Sequence, residues 1–166
     1  MSEQQGQTYL SFMTRELQAE RERRAALDAR GVSVVTVSGS LATLLAAVGA
    51  FVSGQTGFTL PATAEAPLTL TLLAFATAAI LGIGASAGRL YAVTPAATLT
   101  EMLTDRWPTS EADARNFVAT QDVKTIRTLR SGNNKKANYL VAALAVQVVG
   151  LVTLTYAVFR ILQAAS

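Results

Sequence analysis

The chain has 166 residues, 51% of them hydrophobic and only 15% charged, with a formal net charge of +3. A soluble domain carries about 25% charged residues, so the composition points to a membrane, and so small a net charge gives no electrostatic case for nucleic acid. Cysteine and histidine are both absent, which removes thiol nucleophiles, the usual zinc sites, histidine-ligated haem and imidazole acid–base chemistry.

The charges are segregated. Gly31–Ala64, Ala66–Gly88 and Ala137–Phe159 contain no Asp, Glu, Lys or Arg, and a helix needs about 20 apolar residues to cross a bilayer core of about 30 Å. The expected fold is an all-α integral membrane protein with three transmembrane helices, an N-terminal cytosolic helix and a helical cytosolic linker. Its parts are residues 1–30 (cytosolic amphipathic helix), 31–91 (transmembrane hairpin), 92–136 (cytosolic helical linker) and 137–166 (third transmembrane helix and short external tail). The polar N-terminus has no basic n-region, so the first span is expected to act as its own insertion signal rather than follow a cleaved peptide.

From Thr8 to Arg30, Leu10, Met13, Leu17 and Leu27 recur at helical spacing, and Glu20, Arg24 and Asp28 follow one another at i,i+4. No Pro or Gly interrupts this helix before Gly31, so it is expected to run on into the membrane. Two readings fit: a solvated, salt-bridged helix, or a stalk that pairs with another cytosolic helix. Glu20 and Arg24 fall on the seam where the second reading wants apolar residues.

The first span covers Val32 to Val52 and is rich in Ser, Thr and Gly. A turn at Gly54-Gln55-Thr56-Gly57 and a stop at Pro67 lead to a second span over Leu68–Tyr91. In it Ala74, Ala78, Gly82 and Ser86 form a stripe at four-residue spacing, which suits close helix packing in lipid. That stripe serves either packing within the chain or a contact between copies in a homo-oligomer.

In the linker, Thr94 and Pro95 read as cap and first helical residue, with Leu99, Met102, Leu103 and Trp107 on one side. Ser110 with Asp113 resembles a capping box for a second helix, whose apolar side is Phe117, Val123, Ile126 and Leu129. Ser131-Gly132-Asn133-Asn134 is expected to break it before a third span over Tyr139–Ile161. Gln147, midway along that span, is expected to seek a partner across helices.

Of the 14 basic residues, 13 lie before the first span, at the linker end of the second (Arg89) or between the second and third. The positive-inside rule then places the N-terminus and linker in the cytoplasm and the C-terminus outside a cell (inner) membrane. No ionisable residue occupies a span centre, which argues against a proton relay or ion-coupled transporter, and no paired acid–base groups argue for an enzyme. Lys124, Arg127 and Arg130 fall near one helix face. They suit either anionic headgroups or a phosphate-binding patch.

The order of parts carries a resemblance. A charged helix ends in Ala26-Leu27-Asp28-Ala29-Arg30-Gly31, two spans follow, and a helical linker leads through Asn134-Lys135-Lys136-Ala137 to a last span. This resembles the transmembrane effectors of Pycsar, the pyrimidine-cyclase antiphage systems, or related small membrane effectors associated with other nucleotide signals. The resemblance implies a non-enzymatic protein that senses cyclic UMP or cyclic CMP made by a partner pyrimidine cyclase and then impairs the inner membrane. It implies no metal or other cofactor. With no separate cyclic-nucleotide domain, the ligand surface is expected at Lys124, Arg127 and Arg130, with Asp28 and Arg30 coupling it to the first span. The alternative is an accessory or scaffold membrane protein of a transfer or secretion system.

Overall fold

The computed structural model describes residues 3–54 and 61–165. Four helices follow in order: α1 (Glu3–Ser53), α2 (Ala62–Ser86), α3 (Ala96–Thr104) and α4 (Glu111–Ala165). No strand occurs among the described residues. Three of the four, α1, α2 and α4, contain stretches long and apolar enough to cross a membrane, the make-up of a multi-pass membrane protein.

The chain divides into two compact units. A polar unit combines the chain up to Ala26 with Gly88–Lys135, and an apolar unit combines Leu27–Ala87 with the chain from Lys136 onward. Both α1 and α4 contribute to each unit.

The apolar unit is a three-helix arrangement built on alternating three- and four-residue steps. Its buried positions include Leu27, Gly31, Val34 and Ser38 on α1, Ala78, Gly82 and Ala85 on α2, and Lys136, Leu140 and Ala143 on α4. That alternation is the period of left-handed helix packing. Leu27, Val34, Ala78, Ala85, Leu140 and Ala143 form one cluster, with Leu81, Ala137 and Val146 against it. Large side chains such as Leu44, Ile80 and Val141 point outward, which suits hydrocarbon and not water. Small residues set the spacing. A Cβ on Gly31 would lie 2.9 Å from the Gly82 carbonyl oxygen, and one on Gly82 would lie 3.0 Å from that of Gly31. The Thr71 and Thr153 hydroxyls meet at 2.9 Å, joining α2 to α4.

Several expected boundaries move. Pro67 does not stop the chain; it lies inside α2, which starts at Ala62. Only one helix hydrogen bond is lost there, and the alanine-rich turn before it favours helix. The second span ends at Ser86 rather than Tyr91 because Ala87 turns to extended backbone (ψ 137°). The freed backbone finds side-chain partners: Arg24 Nη2 donates to the Arg89 carbonyl (3.3 Å), and the Ala92 N–H donates to Thr128 Oγ1 (3.0 Å). Pro95 is the N-cap of α3 and not its first residue. Ser110 does cap α4, its Oγ accepting from the Asp113 N–H (3.2 Å) and donating to the Asp113 carboxylate (2.7 Å).

Ser131–Asn134 brings the largest change, for α4 passes through it unbroken. Tertiary hydrogen bonds outweigh local propensity there: Asn133 Nδ2 donates to the backbone carbonyl of Glu20 and Asn134 Oδ1 accepts from Arg23. The turn expected at Gly54-Gln55-Thr56-Gly57 lies outside the described residues beyond Gly54, whose N–H closes α1 onto Ala50 and Phe51.

Candidate functional site

The polar unit holds a charged cluster around one buried carboxylate where α1 meets α4. Heptad-like steps carry Leu10, Met13 and Leu17 to Glu20, so a carboxylate occupies a position that geometry turns inward. Glu20 is 7% exposed and Asn133 1%. Arg130 Nε donates to Glu20 Oε1 and its Nη2 to Glu16 Oε2, each at 2.8 Å. Asn133 Nδ2 donates to Glu20 Oε2 at 2.9 Å. Arg23 Nη1 lies 3.7 Å from the same carboxylate and its Nη2 donates to Asn134 Oδ1 (3.1 Å). Burial alone would raise the Glu20 carboxyl. The hydrogen bonds from Arg130 and Asn133 and the charges of Arg130 and Arg23 outweigh it, and hold the group below its ordinary value. Arg130 is raised in turn, chiefly by its bond to Glu20.

A second charged contact lies in the apolar unit. Lys136 is 1% exposed, and its Nζ donates to Asp28 Oδ1. A buried ammonium requires such a partner. Asp28, expected as a coupling residue, thus ties α1 to α4, while Arg30 is exposed.

The three cations expected as a ligand surface have different surroundings. Lys124 and Arg127 are exposed and no acidic group among the described residues forms an ion pair with either. Arg130 does not share that freedom, because Glu16 and Glu20 both hold it. Those partners come from a helix more than 100 residues away in sequence, which local spacing along α4 does not reveal. Arg24, whose i,i+4 neighbours are Glu20 and Asp28, is also engaged by groups farther off in sequence. Arg24 stacks over the Tyr91 ring at 4.6 Å, besides its bond to the Arg89 carbonyl.

The small-residue stripe is spent inside the chain. Ala74, Ala78 and Gly82 are buried, and Ser86, half-buried, stands against Gly31. It is therefore not an open surface for another copy. Gln147 is half-buried and finds no hydrogen-bond partner among the described residues. Of the side expected to carry Leu99, Met102, Leu103 and Trp107, Met102 is half-buried and the other three are exposed, Trp107 lying beyond the end of α3.

Sequence reasoning missed Glu16, Asn133 and Lys136 as site residues, and read Glu20 as an interruption. The signal was present, since Glu20 continues the apolar period of α1, as Asn133 and Lys136 do for Leu129 and Leu140 on α4. No protein-family model, curated protein or solved structure matches this chain.

Proposed function

We propose that this protein is a non-enzymatic membrane effector of antiphage nucleotide signalling, held silent until a partner cyclase makes cyclic UMP or cyclic CMP. The observation that carries the reading is that α1 and α4 each run unbroken through a polar and an apolar unit, with charged residues buried on the seam they share in each. In this reading the nucleotide's phosphate lands on the exposed Lys124 and Arg127 and competes with Glu16 and Glu20 for Arg130. Release of those carboxylates loosens the α1–α4 seam, and Asp28 and Lys136 lie on the same two helices farther along. Loosened spans from several copies then impair the inner membrane, since three uncharged spans do not enclose a water path alone. The distribution of basic residues supports a cytoplasmic N-terminus and an external C-terminus.

The test is induced expression with and without a pyrimidine cyclase, following membrane potential. Depolarisation only when both are present is expected. Equal depolarisation without the cyclase, or none with it, overturns the reading. The exposed Leu99, Leu103 and Trp107 on and just after α3 favour the second reading, an accessory membrane protein that docks a partner without a ligand; it predicts no response to the nucleotide at all.

A further inference from the structure

A cavity of about 490 Å³ opens in the polar unit between the chain that follows α2 and one face of α4. Its α4 wall is Thr128, Ser131, Gly132 and Lys135, the i, i+3, i+4, i+7 positions of a single face. Arg89 completes a pair of cations in the lining. The facing strand of chain is fixed from both sides, by Arg24 on the Arg89 carbonyl and by Thr128 on the Ala92 N–H. The Arg89 side of this open groove is thus held by the chain's own contacts.

Two glycines mark it further. Gly132 sits in the middle of a 55-residue helix, where glycine costs roughly 1 kcal/mol relative to alanine. At Gly31, Gly82 and Gly150 a neighbouring atom within about 3 Å of the missing Cβ explains the residue, but at Gly132 and Gly88 nothing lies within 4 Å. As at Gly39 and Gly49, no packing contact accounts for their missing side chains. They leave the cavity open.

We propose that this cavity binds a phosphate ester. Lys135 and Arg89 supply charge-assisted hydrogen bonds to the phosphate oxygens, Ser131 adds a hydroxyl, and Leu90, wholly exposed at the rim, meets the uncharged part of the ligand. Two sources offer this chemistry: a glycerophospholipid headgroup and a soluble phosphate ester. In sequence, Arg89 directly follows one charge-free stretch and Lys135 stands just before another, where headgroup phosphates lie if those stretches cross a bilayer. The site is separate from Lys124 and Arg127 and stands whether or not the effector reading does.

The full chain, purified in a neutral detergent, is tested in two arms. Glycerol 3-phosphate is titrated by calorimetry, and phosphatidylglycerol is doped into the micelles against phosphatidylcholine, with lipid retention read by native mass spectrometry. Gly132→Leu adds a side chain to the lining, its Cβ in open space, and favours helix. Lys135→Gln removes an exposed charge. Each is expected to weaken binding at least about tenfold, equivalent to roughly 1.4 kcal/mol, while Arg21→Gln, loss of the same charge at a residue that does not line the cavity, leaves it intact. Binding of the lipid alone assigns the headgroup, and binding of glycerol 3-phosphate alone assigns the soluble ester; each supports the site. No binding in either arm, or equal weakening in Arg21→Gln and Lys135→Gln, overturns it. Should Gly132→Leu fail to fold, Lys135→Gln against Arg21→Gln still decides.

Discussion

Glu20 shows how one residue can carry more than its type suggests. A carboxylate buried against α4 has two cations and an amide around it, and these favour its charged form. The unfolded carboxyl titrates near 4.5 and the folded one lower. Its contribution to stability is therefore fully present above pH 4.5 and lost as the pH falls through the folded value. Thermal unfolding in detergent should show that loss on acidification, and Glu20→Gln should flatten the acid limb while lowering stability at neutral pH. Asn133 makes two bonds to Glu20 from a fully buried position. Asn133→Ala should cost about 1–3 kcal/mol, the usual range for stranding a buried partner. Lys136 is the sharper case. Asp28→Asn leaves its buried ammonium without a counter-charge and should cost about 3–5 kcal/mol, whereas Asp28→Leu with Lys136→Met should be near neutral. A double-mutant cycle measured by denaturant unfolding checks both. If the nucleotide lands as proposed, Arg127→Glu removes the response but preserves protein level and insertion; a graded loss that follows total charge at any basic position would instead mark a headgroup strip.

Among elements, the closest approach is α1 against α2. Gly31 and Gly82 each have the other's carbonyl oxygen within about 3.0 Å of where a Cβ would stand, so any larger side chain must push the helices apart. Gly82→Leu should destabilise the apolar unit by about 1–3 kcal/mol, the usual range for overpacking, read as a lower unfolding temperature in detergent. Ala74→Leu should act in the same direction, because Ala74 is buried and also touches the space beside Gly150. Neither variant should change the oligomeric state by removing a contact surface, since the stripe they occupy is already covered within the chain. α3 differs from the others in burying none of its residues. Leu103→Ser and Trp107→Ser should leave the unfolding temperature unchanged.

For the whole molecule the decisive measurement is topology. The chain has no native cysteine, so single cysteines report cleanly. Asp105→Cys, between α3 and α4, should react with an impermeant maleimide only when added from the cytoplasmic side. Thr63→Cys, in the first turn of α2, should react only from outside. The opposite pattern would reverse the orientation drawn from the basic residues.

Composition and the charge-free stretches determined that three helices are long and apolar enough for a membrane, because the cost of placing charge in hydrocarbon is written directly into residue type. They also carried the run of α1 past Arg30, where nothing breaks the helix. The helix ends were less legible. Pro67 and Ser131–Asn134 look like breaks in one dimension, yet helix persists at both, since the first loses a single bond and the second is held by Glu20 and Arg23. The candidate site was legible only in pieces. Lys124 and Arg127 are exposed as spacing on α4 suggested, but the partners of Arg130, the burial of Lys136 and the cavity between Arg89 and Lys135 each depend on groups that are distant in sequence. Only the tertiary structure decides such pairings, because an ion pair or a cavity wall requires two segments to meet, and neither segment alone records the other.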